Sequence, residues 1–92
     1  MKDLIERHYK ATRKRGLITD VTKLSEFRNK IKEEFNEMDV EFVNGESEKM
    51  FYEAIDMCAT VFNMFRHYGI SFPIEFEKNV KYQESRVKNI DS

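Results

Sequence analysis

The placement of three glycines and one proline constrains this chain more than any other feature, because these residues end or begin helices. Gly16, Gly45 and Gly69 divide the chain, and Pro73 follows the last of them closely. No strand-like alternation of any length lies between these breakers. The sequence therefore predicts an all-α protein of four helices with short turns. We expect the helices at about Lys2 to Lys14, Lys23 to Phe42, Ser47 to Tyr68, and from Ser71 and Pro73 onward.

The second predicted helix carries an apolar stripe with spacings of 3, 4, 4, 3 and 4 residues. Such spacing places one apolar face along a helix, and we expect that face in the core. The stripe comprises Leu24, Phe27, Ile31, Phe35, Met38 and Phe42. Thr19, Asp20 and Thr22 precede this helix as N-cap candidates.

The third predicted helix has an apolar arc that covers about half of its circumference. The arc contains Met50, Phe51, Ala54, Ile55, Cys58, Val61, Phe62, Phe65 and Tyr68. An arc this wide exceeds what one chain's core needs, so we expect at least a homodimer with this helix near the interface. Cys58, the single cysteine, is expected to be a small buried hydrophobe rather than a nucleophile.

Composition and charge exclude several classes of protein. A chain of 92 residues predicts one domain, residues 1–92, with a modest core that oligomerisation would supplement. A net charge of −1 argues against binding to nucleic acid through bulk electrostatics. The charged N-terminal stretch and the lack of a long apolar run predict a cytoplasmic protein without membrane association. One cysteine leaves no intramolecular disulfide, which suits a reducing compartment.

The densest acidic run is "KIKEEFNEMDVE", Lys30 to Glu41, in the second helix. At 100° per residue, three of its acids form one ledge beside the apolar stripe: Glu34, Glu37 and Glu41. The third helix presents a polar face with spacings of 3, 4 and 3, made of Glu53, Asp56, Thr60 and Asn63. Each helix therefore carries a carboxylate pair at i, i+3, a spacing at which ionised side chains repel.

Two interpretations of these pairs remain open. They are solvated faces of amphipathic helices, as most charge runs are. Alternatively, if the two helices pack side by side, four carboxylates converge at one place, which requires cations or raised pKa values. Oxygen ligands without histidine or cysteine favour Mg²⁺, or Mn²⁺ as a substitute, over zinc.

The two pairs also carry a family resemblance. Glu34-Phe-Asn-Glu37, followed after fifteen residues by Glu53-Ala-Ile-Asp56, resembles the ExxE…ExxD signature of the MazG-like nucleoside triphosphate pyrophosphohydrolases, in the all-α NTP pyrophosphatase superfamily. The resemblance continues through "DMCATVFNMFRHYGI", "NVKYQESR" and the basic turn "ATRKRGLI", and thus spans most of the chain.

The resemblance implies a four-helix bundle-like protomer, and the wide apolar arc of the third helix predicts that oligomerisation to a homodimer or homotetramer completes it. It also implies Mg²⁺-dependent hydrolysis of a (d)NTP to the (d)NMP and pyrophosphate. The implied metal ligands are Glu34, Glu37, Glu53 and Asp56. Glu34 or Glu37 would be the general base. The implied substrate contacts are Asn63, Asn79, Lys81, Arg86, Lys14 and Arg15. For Lys14 and Arg15, capping of the first helix's C-terminus is an equal alternative.

Two other functions remain open at this stage. One is a phosphoribosyl-ATP pyrophosphatase-like enzyme, which shares the superfamily and the size. The other is a catalytically inactive helical interaction module on the same scaffold. His8 and His67 have no partner at metal-ligand spacing and are expected to be structural or incidental.

Overall fold

The computed structural model describes residues 1–91, with side chains through Val87. It contains four helices in chain order, α1 (Lys2–Lys14), α2 (Leu24–Val43), α3 (Ser47–His67) and α4 (Phe72–Asp91). No strand occurs within residues 1–91. The predicted all-α class, the number of helices and their positions are confirmed.

Glycine in the left-handed backbone region ends the second helix as the sequence predicts. Gly45 has φ of +74°. Its N–H donates to the Phe42 carbonyl at 3.1 Å, and the Glu46 N–H donates to the Glu41 carbonyl at 2.9 Å. This pair of bonds is a Schellman motif, which satisfies two carbonyls at the helix end and turns the chain back toward α3.

The cap of α2 differs from the expectation. None of the three predicted candidates caps the helix, because the N-cap residue is Lys23. The Glu26 carboxylate accepts the Lys23 backbone N–H, and Thr22 instead accepts the N–H of Thr19 within the preceding turn. At α4 the prediction holds, since Ser71 Oγ accepts the Ile74 N–H at 3.4 Å.

The chain forms an α2–α3 hairpin with α1 packed against α3. Among the described side chains, the buried hydrophobic residues are Ile5, Tyr9, Ile18 and Phe27. Partly buried Met64 packs against the last three of these. The core therefore lies where α1, the turn before α2, the first turns of α2, and α3 meet.

Much of the apolar surface predicted to be core is exposed in the single chain. In α2, Phe27 is buried and Ile31 and Met38 are half-buried, but Leu24, Phe35 and Phe42 are exposed. In α3 the expectation for Cys58 is wrong, because its side chain is exposed. The physical reason is that α3 turns its other face, which contains buried Asn63, toward α1 and α2.

Helix α4 is held mainly at its start. Phe72 packs against Phe62 and Phe65 of α3, with ring centroids 4.5 and 5.4 Å apart. Beyond this contact, exposed apolar residues continue along the helix, among them Phe76, Val80 and Tyr82. None of the helices in the described residues has the length and apolar character needed to cross a bilayer.

Candidate functional site

Glu34 is a carboxylate that folding removes from water. Glu34 is only 6% exposed, and Thr60 Oγ1 of α3 donates a hydrogen bond to its Oε1 atom at 2.5 Å. Burial raises the pKa of Glu34, and the nearby charges of Asp56 and Glu37 raise it further. The Thr60 hydrogen bond and Lys30 act in the opposite direction without cancelling the rise in pKa. This is the electrostatic signature of a carboxylate placed beside other carboxylates in a partly dry site.

A second carboxylate contact lies further along the same hairpin. The pKa of Glu53 is raised by loss of hydration first, and then by the adjacent Glu37 carboxyl group. The charges of Asp56 and Glu41 add to this rise in pKa. Helices α2 and α3 are thus antiparallel with their acidic faces opposed, and the four carboxylates predicted as metal ligands are neighbours.

These residues fit a magnesium site in chemistry, but they do not form a convergent cage. All donors are carboxylate or hydroxyl oxygens, which suit hard cations. A cation would also relieve the repulsion that raises the pKa values of Glu34 and Glu53. Across residues 1–87, however, no three His, Cys, Asp or Glu side chains form a group with metal-binding geometry. The acids meet instead as facing neighbours across the hairpin.

A cleft of about 650 Å³ opens beside the carboxylates. It lies between α1, the turn after α1, α2 and α3, and a volume of this size falls within the usual range for small-molecule sites. The polar side chains that matter for its chemistry are His8, Thr12, Arg15, Glu34, Asp56 and Asn63.

The inner wall of the cleft is a buried polar network. Asn63 is only 3% exposed, and its Oδ1 atom lies 3.2 Å from Nδ1 of His8. Its Nδ2 atom donates to Thr12 Oγ1 at 3.4 Å. Asn63 was predicted to contact substrate, and the structure places it at the cleft. His8 was expected to be structural or incidental, and the structure places it at the cleft. His8 and Thr12 stand four residues apart, a spacing that puts both on one face of α1.

His67 supports the same cleft from behind. Tyr9 Oη lies 2.8 Å from His67 Nδ1, and His67 Nε2 lies 3.1 Å from the Thr22 carbonyl oxygen. These bonds tie α1 and α3 to the turn that precedes α2. Ile18 and Thr22 in that turn contribute to the cleft wall. His67 is therefore structural, as the sequence predicts.

The remaining predicted substrate residues divide into two sets. Arg15 lies at the cleft, whereas Lys14 is exposed at the end of α1 and is not in the cleft lining. Asn79, Lys81 and Arg86 are exposed on α4 and lie outside the cleft lining. Lys81 pairs with Glu77 at 3.5 Å, and the Arg86 guanidinium lies 5.8 Å from the centroid of the Tyr82 ring. Within one chain, the carboxylates and the α4 cations are not brought together.

Comparisons with protein-family models, curated proteins and solved structures find no match to this chain.

Proposed function

We propose that this protein is a Mg²⁺-dependent nucleotide pyrophosphohydrolase of the MazG-like type, cleaving a (d)NTP to the (d)NMP and pyrophosphate. One observation carries the proposal. Two carboxylate pairs on antiparallel helices face each other at the edge of a cleft of nucleotide size, and folding buries Glu34 despite its charge. Burying an ionisable group weakens folding, and the Thr60 hydrogen bond offsets this cost only in part, since the pKa of Glu34 stays raised.

In this proposal, Glu34, Glu37, Glu53 and Asp56 hold Mg²⁺, with Mn²⁺ as a substitute. The metal supplies charge neutralisation at phosphate oxygens and a more acidic bound water. The chain's own groups do the rest. Either Glu34 or Glu37 accepts a proton from the attacking water, whichever of the two carboxylates the metal does not fully engage.

Two neighbouring side chains assist. Thr60 holds one oxygen of the Glu34 carboxylate in place through its short hydrogen bond. Arg15, at the cleft, supplies a cation for the triphosphate.

The proposal also assigns a role to oligomerisation. Asn79, Lys81 and Arg86 lie outside the cleft of their own chain, on a helix whose apolar side chains are exposed. We infer that the protein forms a homodimer or homotetramer in which α4 serves the cleft of another copy. That arrangement would deliver amide and cationic groups to the phosphates.

The test is release of pyrophosphate from a panel of dNTPs and NTPs with Mg²⁺ or Mn²⁺. Glu53→Gln is expected to lower turnover by at least a hundredfold, because it removes a carboxylate that stabilises the transition state through the metal. The matched control is Asp39→Asn, which neutralises an exposed carboxylate of the same acidic run and should retain activity. Far-UV circular dichroism verifies that both variants keep their helices.

A second candidate is a catalytically inactive helical interaction module. The observation that favours it is that the carboxylates of residues 1–87 do not form a convergent group of three. The two functions differ in their response to Mg²⁺, since a ligand that binds only the native state raises the melting temperature. If no nucleotide is cleaved and millimolar Mg²⁺ leaves the melting temperature unchanged, the enzyme proposal is wrong and the module is favoured.

A further inference from the structure

The hydrogen bonds around His8 fix which of its ring nitrogens carries a proton. Thr12 Oγ1 donates its only hydrogen to the His8 carbonyl oxygen at 2.8 Å, so toward its other neighbours it acts as an acceptor. Asn63 Nδ2 donates to that oxygen, which orients the amide and leaves Asn63 Oδ1 facing His8 Nδ1. An amide oxygen can only accept, so His8 Nδ1 bears the hydrogen.

This arrangement leaves His8 Nε2 as a hydrogen-bond acceptor in the neutral ring. A histidine whose Nδ1–H is occupied has its lone pair on Nε2. The partner that sets this tautomer, Asn63, is buried and is therefore held in one orientation. His8 itself is exposed and lies at the cleft. The network thus sets Nε2 as the acceptor atom of an imidazole ring that lines the cleft.

The position of His8 along the cleft suggests what that occupant is. Glu6 meets Arg66 and Thr12 meets Asn63, so α1 runs antiparallel to α3. Asn63 stands seven residues beyond Asp56 on α3, which is about 10 Å along the helix axis at 1.5 Å per residue. Asp56 therefore lies toward one end of the cleft and the Asn63–His8 pair toward the other, with Glu34 between them at Thr60. In a nucleotide, the sugar likewise separates the phosphates from the base.

We propose that His8 reads the nucleobase of the bound nucleotide, with Nε2 accepting a hydrogen bond from an N–H group on the base edge. Asn63 and Thr12 are positioning residues, because they act only by fixing the orientation and tautomer of His8. The phosphates lie at the Glu34 and Asp56 end, where Arg15 supplies a cation. This inference rests on the proposed function, since it assigns the base subsite of the same cleft.

The experiment compares each natural dNTP with an analogue in which the edge N–H is removed or methylated. The pairs are dATP with deoxynebularine triphosphate, dCTP with deoxyzebularine triphosphate, dUTP with N3-methyl-dUTP, and dGTP with N1-methyl-dGTP. For the preferred base, the KM of the wild-type protein should be about tenfold lower for the natural nucleotide than for its analogue. A tenfold difference corresponds to about 1.4 kcal/mol, which is the contribution of one hydrogen bond.

Two substitutions of His8 then separate base reading from a structural effect. His8→Phe keeps a ring but lacks the acceptor. This substitution should raise KM for the natural nucleotide about tenfold and leave kcat within about twofold of the wild-type value. It should also abolish the difference in KM between the natural nucleotide and its analogue. His8→Gln places an amide oxygen near the position of Nε2 and should restore part of the difference. Calorimetry with the non-hydrolysable α,β-imido analogue of the preferred dNTP should show the same loss of affinity in His8→Phe.

The outcomes distinguish this inference from the proposed function. If the wild-type protein releases pyrophosphate but His8→Phe still discriminates within the pair, the base-reading role is wrong and the enzyme proposal stands. The same conclusion follows if His8→Phe lowers kcat and leaves KM unchanged. If the wild-type protein neither cleaves nor binds any nucleotide of the panel, both proposals are wrong.

Discussion

Folding shifts the pKa values of Glu34 and Glu6 in opposite directions. The pKa of Glu34 rises because its carboxylate loses water inside the α2–α3 hairpin. The pKa of Glu6 falls because Arg66 of α3 hydrogen-bonds its carboxylate, with one of the two contacts at 3.1 Å. That guanidinium also lies over the Tyr9 ring, 4.8 Å from its centroid, so its position is fixed from two sides. Glu6 and Arg66 therefore form a structural link between α1 and α3, whereas burial disfavours the ionised form of Glu34.

The link between Glu6 and Arg66 predicts a specific pH dependence of stability. Because the folded-state pKa of Glu6 lies below its ordinary value of 4.5, the ion pair contributes stability above that value. The contribution is lost as the pH falls through the lowered folded-state pKa. The free energy of unfolding of the wild-type protein, from urea denaturation at a series of pH values, should therefore fall more steeply below about pH 4.5 than that of Glu6→Gln.

Asp39→Asn serves as the matched control for this prediction, because it removes an exposed carboxylate of α2 that lies outside the α1–α3 contact. Below about pH 4.5, the free energy of unfolding of Asp39→Asn should fall as steeply as that of the wild-type protein. High salt should reduce the difference between wild type and Glu6→Gln, since the pair is largely exposed. If the free energy of unfolding fell equally steeply with pH in the wild type and in Glu6→Gln, the assigned role of the ion pair would be wrong.

At the scale of elements, the sequence predicted the helices well because their ends are set by local chemistry. A glycine in the left-handed region ends a helix whatever packs around it, and a period of 3.6 residues is visible without a partner. The N-cap of α2 was not predicted because lysine is not a typical N-cap residue. There the Glu26 carboxylate satisfies the backbone N–H instead.

The orientation of α3 could not be predicted to the same degree. Its sequence shows an apolar side with Phe51 and Ile55 and a polar side with Thr60 and Asn63. Periodicity identifies both sides, but not which of them faces the chain's own helices. In the structure the polar side faces inward, where Thr60 and Asn63 find partners in α2 and α1. The sequence predicted that the two acidic faces would oppose each other if α2 and α3 packed side by side, whereas the contact of His8 with Asn63 is visible only in the fold.

The turn between α2 and α3 offers a test of local control at the element scale. A Cβ at Gly45 would meet no atom within 4 Å, so the cost of substitution comes from the backbone at φ of +74°. Gly45→Ala should destabilise the protein by about 1 kcal/mol, whereas Gly45→Asn should cost less because asparagine tolerates this conformation. Urea denaturation of both variants measures the difference. Equal costs for alanine and asparagine would show that the conformation at residue 45 does not limit stability.

At the scale of the whole molecule, a single chain is more open than a compact protein of its size. Its radius of gyration is 16.0 Å, against about 12 Å expected for 92 residues. Its accessible surface is 7445 Å², against about 5,650 Å² expected for a compact monomer of its mass. The excess of about 1,800 Å² matches the area that one subunit contributes to an obligate interface.

The exposed apolar side chains indicate where that interface lies. Phe51, Tyr52 and Ile55 are exposed on α3, and Phe76 and Val80 on α4. Isolated exposed hydrophobic residues are ordinary, but a run along two connected helices is typical of a surface that another molecule covers. In the proposed oligomer a second copy of the chain would cover this surface and bring a partner's α4 toward the carboxylates.

This reasoning predicts a particle mass of at least twice 11.1 kDa in light scattering at micromolar concentration. Ile55→Glu should shift the mass toward that of a single chain or unfold the protein, because it places a charge on the apolar surface of α3. Leu4→Glu is the matched control, since Leu4 is exposed to nearly the same extent, 61% against 63%, but lies on α1. It should keep the wild-type mass.

A second measurement keeps the oligomer prediction decisive even if Ile55→Glu does not fold. The melting temperature of the wild-type protein should rise with protein concentration, because mass action couples the folding of an obligate oligomer to its assembly. The catalytic activity per chain should fall on dilution over the same range, since the cations of α4 lie outside the cleft of their own chain. A monomeric mass together with a concentration-independent melting temperature would show that the exposed surface of α3 and α4 is not an interface between copies.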